Sequence, residues 1–325
     1  MGKVKWAIAG RNAARLEEVK QELIRINPSC KDTPVLIGDI KDEASIGRIL
    51  QQAQVVVSTA GPFAAYGDVI VDQALAQGTH YCDITGGAPS GTDRPAPFKP
   101  VYVKEGGTWT MPFFMSPVNS QIAHYSDALT SHSYGKDFHV LEVMALGSGW
   151  SGYLKAWLGT GLMGIAAALV FVKMLRPIAD RILPVPGQGP SMKLQRELGH
   201  WEHNLVAVTE GPNPKIFKGK VEDLATGLRC AEANRLCAAM VGCQQGHLGW
   251  QAEGIATQDA KRDPGYWGTS RMVLEAGLCL VEDAEKLKEA GYAAGGVLTP
   301  ATAMGTVLIT RLQAAGIRFE VTERG

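Results

Sequence analysis

An α/β fold is predicted by three features of the sequence. Short apolar runs alternate with segments of helical period across the first 85 residues, the rhythm of a parallel sheet covered by helices on both faces. The opening run, Lys5-Trp6-Ala7-Ile8-Ala9-Gly10-Arg11-Asn12, ends as the second strand of a dinucleotide-binding sheet ends, and no GxGxxG or GxxGxxG loop precedes it. Beyond an irregular Pro-rich stretch, strand and helix patterns resume, and the length suits about two domains. The expectation is a Rossmann-like parallel sheet lacking its first strand, on a chain truncated at its N-terminus.

Taken in order, 6–10 reads as a strand, 13–26 as an amphipathic helix, and 35–38 as a strand followed by Asp39. Residues 46–52 have helical period, 55–58 is a fully apolar strand, 69–76 a helix, and 81–85 a strand ending in Gly86-Gly87. From 88 to 117, Pro89, Pro95, Pro97, Pro100, Pro112 and Pro117 interrupt every candidate helix, so an extended loop or disorder is expected. Residues 138–146 form the next strand, and 156–172 is an uncharged apolar helix between Lys155 and Lys173. A strand over 201–210, a helix over 266–279, a single helix over 299–315 and a closing strand over 317–321 complete the pattern.

Composition narrows the class. A chain of 325 residues that is 46% hydrophobic can bury a substantial core and suits about two domains. Lys plus Arg and Asp plus Glu are both 32, so no global field attracts nucleic acid, and none is expected as a partner. Six scattered cysteines lack the spacing of a secreted disulfide framework, and an intracellular, reducing setting is expected.

Candidate binding residues lie where strands end. Arg11, after the first strand, occupies the adenosine-ribose position of such folds, where an acid suits a free 2′-hydroxyl and an Arg a 2′-phosphate; NADP is therefore favoured over NAD. A solvated Arg at a strand end is the alternative. Asp39 reads either as a contact to the adenine edge or as a turn or capping aspartate. Ala60-Gly61-Pro62-Phe63 follows the most apolar strand, and a small turn at a carboxyl edge lets a ligand approach the backbone. Cys230, Cys237, Cys243 and His247 are spaced like a CCCH zinc site, but the apolar run around them favours reduced packing cysteines, and no metal is expected. His200, His203 and Tyr266 are read as surface or packing residues, and no residue is assigned a catalytic role.

The blocks WAIAGRNAARLEEV, VLIGDI, VVVSTAGPFAAYGDVIVDQALAQGTHYCDITGG, PVPGQGPS, DPGYWGTSRMVLEAGLCLVED and GGVLTPATAMGTVLITRLQAAGIRFEV, in this order, resemble the saccharopine dehydrogenase-like oxidoreductases, which include trans-acting enoyl reductases. The resemblance implies an NAD(P)-binding domain over 1–87, and the Pro-rich run from 88, read as an irregular connection over 88–137, stands where the family has a helix and a strand. The resemblance also implies a central α+β domain over 138–295 carrying the apolar helix 156–172, and a C-terminal helix and strand, 296–325, returning to the first domain. By block, Gly10, Arg11 and Asn12 match the family's adenosine-side turn, and Gly61, Pro62, Phe63, Tyr66 and Gly67 its turn near the pyrophosphate and nicotinamide. Asp83 and Gly86 match the block after the fifth strand.

Two functions follow from this reading. The first is NAD(P)-dependent hydride transfer on a lipid-like or apolar substrate. The second, drawn from the missing glycine loop, is a catalytically degenerate homologue serving as a membrane-associated or complex-bound accessory protein. The segment 156–172 falls short of the ~20 residues of a spanning helix. It suits a helix lying in a membrane or lipid-droplet interface, or one buried in the protein or in a homo-oligomer.

Overall fold

The computed structural model of this chain describes residues 4–61, 63–85, 98–104, 106–135, 138–175, 177, 202–209, 216–223, 250–257, 268–292 and 295–324. They divide into two units, Met1–Thr85 with Ala276–Ala284, and Gly86–Glu275 with Glu285–Gly325.

In the first unit, β1 (Ile8–Gly10), α1 (Ala13–Ile26), β2 (Val35–Ile37), α2 (Glu43–Leu50), β3 (Val55–Val57), α3 (Phe63–Gln77) and β4 (His80–Cys82) alternate as the apolar period predicts. The strands form two parallel pairs, β1 with β2 and β3 with β4. In a doubly wound sheet ordered 3-2-1-4-5, these are the pairs left when the first strand is taken out. Among the described residues no strand lies between them.

Local chemistry fixes these elements. Asn12 caps α1 by accepting from the Arg15 amide at 3.0 Å, and Asp42 caps α2 by accepting from the Ser45 amide at 3.2 Å. Leu50, Ile70 and Ala74 are buried together, with Ile40, Ile46, Val56 and Tyr81 packed around them. The Thr79 hydroxyl donates to the Leu50 carbonyl at 2.9 Å, tying the end of α2 to the approach to β4. Gly38 is closely packed here: a Cβ would stand 2.5 Å from the end of the Ile49 side chain. Gly277, in the helix α6 (Thr269–Glu282), likewise lies against Val57, at 2.5 Å from a built Cβ.

The second unit is organised by a seven-stranded sheet, ordered β11-β9-β8-β10-β7-β6-β5. Its strands are β5 (Val101–Val103), β6 (Thr108–Pro112), β7 (His139–Ala145), β8 (Glu202–Thr209), β9 (Ile216–Asp223), β10 (Trp250–Thr257) and β11 (Ile317–Arg324). Only β10 and β7 pair in parallel; the other neighbours are antiparallel. Val103 and Val143 are buried with Leu141 and Ala145 around them. Helices α4 (Ser116–Leu129) and α5 (Gly149–Phe171) pack on β7 and β6 respectively.

The structure corrects several expectations. The stretch from 98 onward is not loop: it holds β5, β6 and the start of α4. Each proline there sits where a missing amide costs little: Pro100 precedes β5, Pro112 ends β6 and Pro117 is in the first turn of α4. Helix α4 likewise occupies 116–129 of the irregular connection expected over 88–137. Helix α5 begins at Gly149, seven residues before the predicted start at Ala156; the Gly and Ser of its first turns mask the helical period. The single helix expected over 299–315 is two, α8 (Pro300–Ala303) and α9 (Gly305–Ala314), after a short α7 (Ala284–Glu289). The break falls at Met304, just before Gly305, whose φ of +37° and whose contact with the Tyr292 hydroxyl leave no room for a side chain. Strand β11 pairs with β9 in the large sheet, whereas the segment grouped with the first unit is 276–284, not 296–325.

Candidate functional site

The register of the two parallel pairs sets the strand ends level. Gly10 stands beside Ile37, and Val57 beside Cys82, so the residues that follow each pair share an edge. These are carboxyl ends of parallel strands, the edge at which α/β sheets bind ligands.

After β1, Arg11 is exposed and its side chain makes no hydrogen bond or ion pair with any described residue. Its neighbour Asn12 is committed by its side-chain oxygen to the α1 cap, which orients the first turn and leaves the amides of Ala13 and Ala14 facing out of the helix. A Cβ at Gly10 would meet only Leu16, at 3.5 Å, so internal packing does not require glycine there. After β2, Asp39 is a turn aspartate: one carboxylate oxygen accepts from the Lys41 amide at 3.0 Å, and its own amide donates to Ser45 Oγ at 2.9 Å. The helix cap is Asp42, which the sequence reading passed over.

After β3, Ser58 is buried and its amide donates to the Cys82 carbonyl at 2.8 Å, extending the ladder one residue. Ala60 and Gly61 then turn out into solvent. A Cβ on Gly61 would meet only Phe63, at 3.9 Å, and the backbone has no positive φ. Like Gly10, Gly61 is a glycine the fold does not need. Phe63 and Tyr66 are half-buried on the first turns of α3, and Gly67 is buried beneath Phe63. Pro62 and Gly86 lie outside the described residues, as do Cys230, Cys237, Cys243, His247, His200 and Tyr266. Among the described residues no His, Cys, Asp and Glu group could hold a metal.

After β4, Tyr81, Asp83 and Thr85 form a cluster that the sequence reading only touched through Asp83. The Tyr81 hydroxyl donates to Asp83 Oδ2 at 2.8 Å, the Thr85 hydroxyl to the same oxygen at 2.7 Å, and the Thr85 amide to Oδ1 at 2.9 Å. The alternation at 81, 83 and 85 was the available signal, since residues two apart share a side of an extended chain. Burial, then the hydrogen bond to Asp83, hold the Tyr81 hydroxyl well above its ordinary range. Burial, reinforced by the Asp83 charge and by Cys279, pushes the Cys82 thiol up to about 11, so it is a neutral thiol and not a nucleophile at neutral pH. Among the described residues, the strand ends thus offer open backbone and the uncommitted cation of Arg11, while Asp39 and Asp83 are engaged in turns.

The second unit carries a buried acid that sequence reasoning missed. Glu142, in the middle of β7, accepts from the Asn119 side-chain amide of α4 at 2.6 Å. Burial raises its pKa, and the Asn119 bond partly opposes that. A lone carboxylate within the apolar run HVLEVMA was the sequence signal.

Comparison with known proteins gives three findings. A trans-acting enoyl reductase of Mycobacterium bovis is 24% identical over 97% of this chain and 91% of its own length. A Mycobacterium tuberculosis protein named as a trans-acting enoyl reductase is 24% identical over 99% of this chain and 92% of its own, across 433 aligned positions. That exceeds the 325 residues of this chain, so the relative carries segments this chain lacks. Among solved structures, apo saccharopine dehydrogenase (L-Glu forming) of Saccharomyces cerevisiae matches 84% of this chain and 52% of its own length, at 9% identity and a TM-score of 0.22. No family model matches the sequence.

Proposed function

We propose that this chain, a distant relative of the trans-acting enoyl reductases and one of the saccharopine dehydrogenase-like oxidoreductases, works with a nicotinamide nucleotide held at the carboxyl ends of β1 and β3. NADP is the preferred form, and the substrate is apolar or lipid-like. The observation that carries this reading is the pair of glycines at the ligand edge of parallel strands, Gly10, half-buried, and Gly61, exposed, at neither of which a Cβ would clash.

The residues present fit the nucleotide at two points. Arg11, exposed and unpaired among the described residues, supplies the charge that a ribose 2′-phosphate needs. The turn at Ala60-Gly61 lets a phosphate or ribose approach the backbone without meeting a side chain. When bound, the nicotinamide would supply the hydride donor or acceptor; the protein's part is to position it and exclude competing reactions. Asp83, with three donors on its carboxylate, fixes the shape of the β4 end.

That commitment of Asp39, Asp83 and Cys82 also supports a second reading, a homologue that binds without turnover and acts as an accessory protein. Titration of the protein with NADPH and NADH separates the possibilities. The first reading expects NADPH to bind more tightly than NADH, Arg11→Asp to remove that preference, and nicotinamide absorbance to change with an α,β-unsaturated acyl substrate. Binding with no turnover across such substrates favours the accessory role, and no binding of either nucleotide overturns the site.

A further inference from the structure

Helix α5 has two unlike faces. Gly152, Ala156 and Thr160, spaced by one turn each, are buried, and a Cβ at Gly159 would press into Met111 of β6. This row of small residues seats the helix on the sheet. The opposite face carries Trp150, Leu154, Trp157, Leu158, Leu162 and Ile165 on successive turns, all exposed, with Trp150 at 78%. It continues to the helix end at Phe171, 85% exposed, and beyond it to Met174, 88% exposed. Phe98 widens it, lying 3.9 Å from a Cβ built on Gly164 and facing solvent itself.

We propose that this face lies flat on an anionic membrane surface. A helix of 23 residues is about 34 Å long, and an apolar stripe of that length exceeds what scattered surface hydrophobics produce. The local charge is of one sign. Between Glu142 and Asp180 the sequence holds Lys155, Lys173 and Arg176 and no acid, and Lys99 and Lys104 are exposed near Phe98 and Tyr102. At the N-terminal end Trp150 stacks on Tyr153 at 5.2 Å, and Tyr153 meets Trp109 edge-on at 4.9 Å, a fixed aromatic group of the kind that settles at headgroup level.

The buried face argues against a span. Helix α5 is seated on β6, which pairs with β5 and β7, and an open sheet cannot enter the hydrocarbon with its edge unpaired. The charges argue against a second copy of this chain. Two such faces brought together would set Lys155 and Lys173 against their counterparts, with no acid on the face among the described residues to compensate. This inference does not depend on the nucleotide site.

The test is co-sedimentation of the full chain with vesicles of pure phosphatidylcholine and of phosphatidylcholine with phosphatidylserine. Binding to the mixed vesicles is expected, with a blue shift in tryptophan emission. Replacing Leu154, Leu158 and Ile165 with Ser should weaken it at least about tenfold. Lys155→Gln should weaken binding to the mixed vesicles about fivefold and leave the neutral ones unchanged. Far-UV circular dichroism and size-exclusion mass accompany each variant. The proposal is overturned if the full chain stays in the supernatant with both lipids, if the triple variant unfolds, or if the chain is an oligomer that the triple variant splits.

Discussion

Gly61→Ala and Gly38→Ala should behave in opposite ways, because one glycine is open and the other is enclosed. At Gly38 the new methyl would stand 2.5 Å from Ile49 Cδ1 and 3.3 Å from Ile46 Cδ1, well inside contact distance. Crowding of this kind costs about 1 to 3 kcal/mol, and the lower half applies because both neighbours are ends of flexible side chains. At Gly61 the nearest atoms are at 3.9 Å, so the folded state gains no strain. The unfolded chain loses freedom, and stability should hold or rise by up to about 1 kcal/mol. Nucleotide binding should move the other way. A methyl placed where the ligand meets the backbone should weaken NADPH by about tenfold or more, or at least about 1.4 kcal/mol, while Gly38→Ala leaves affinity per folded molecule unchanged. Thermal unfolding without ligand gives the first pair of numbers, and calorimetric or saturation-transfer titration the second. The reasoning fails if Gly61→Ala binds NADPH within twofold of the parent while remaining folded, since the turn would then not touch the ligand.

Three further outcomes follow from particular residues. Burial raises the Glu142 pKa above its ordinary 4.5, so the folded state keeps that proton to higher pH than the unfolded chain; its contribution is whole below the unfolded value and is lost as pH rises through the folded one. The parent should therefore lose stability relative to Glu142→Gln as pH rises above about 4.5, and parallel melting curves would contradict this. Asp42→Ala removes the α2 cap and should cost about 1 kcal/mol in denaturant unfolding; an unchanged midpoint would show that Ser45 alone holds the turn. With its pKa near 11, Cys82 is thiolate in about one molecule in a thousand at pH 8, so it should alkylate about a hundred times more slowly than an ordinary thiol. Equal rates by peptide mass spectrometry would refute that.

Much of the first unit was legible because its strands are short, apolar and separated by helices of clear period, and because caps such as Asn12 sit where sequence rules put them. The strand ends were found for the same reason. What each residue does there was less legible: Asp39 reads equally well as ligand contact or turn, and only the bond to the Lys41 amide decides. In the second unit, local signals misled. Prolines at 100, 112 and 117 read as breakers but sit at element boundaries, and Gly149 and Gly152 hide the start of α5. Gly152 itself is there because a side chain would run into the Gly147 carbonyl, a contact no one-dimensional pattern contains. The long pairings β11 with β9 and β10 with β7 are likewise tertiary facts, invisible to periodicity.

Backbone hydrogen exchange with and without NADPH tests the central claim most directly. If the nucleotide sits at the carboxyl ends of β1 and β3, amides around Gly10 to Ala14 and Thr59 to Tyr66 should slow on binding while those of the seven-stranded sheet do not change. Slowing confined to the seven-stranded sheet, or none anywhere at saturating nucleotide, would contradict it.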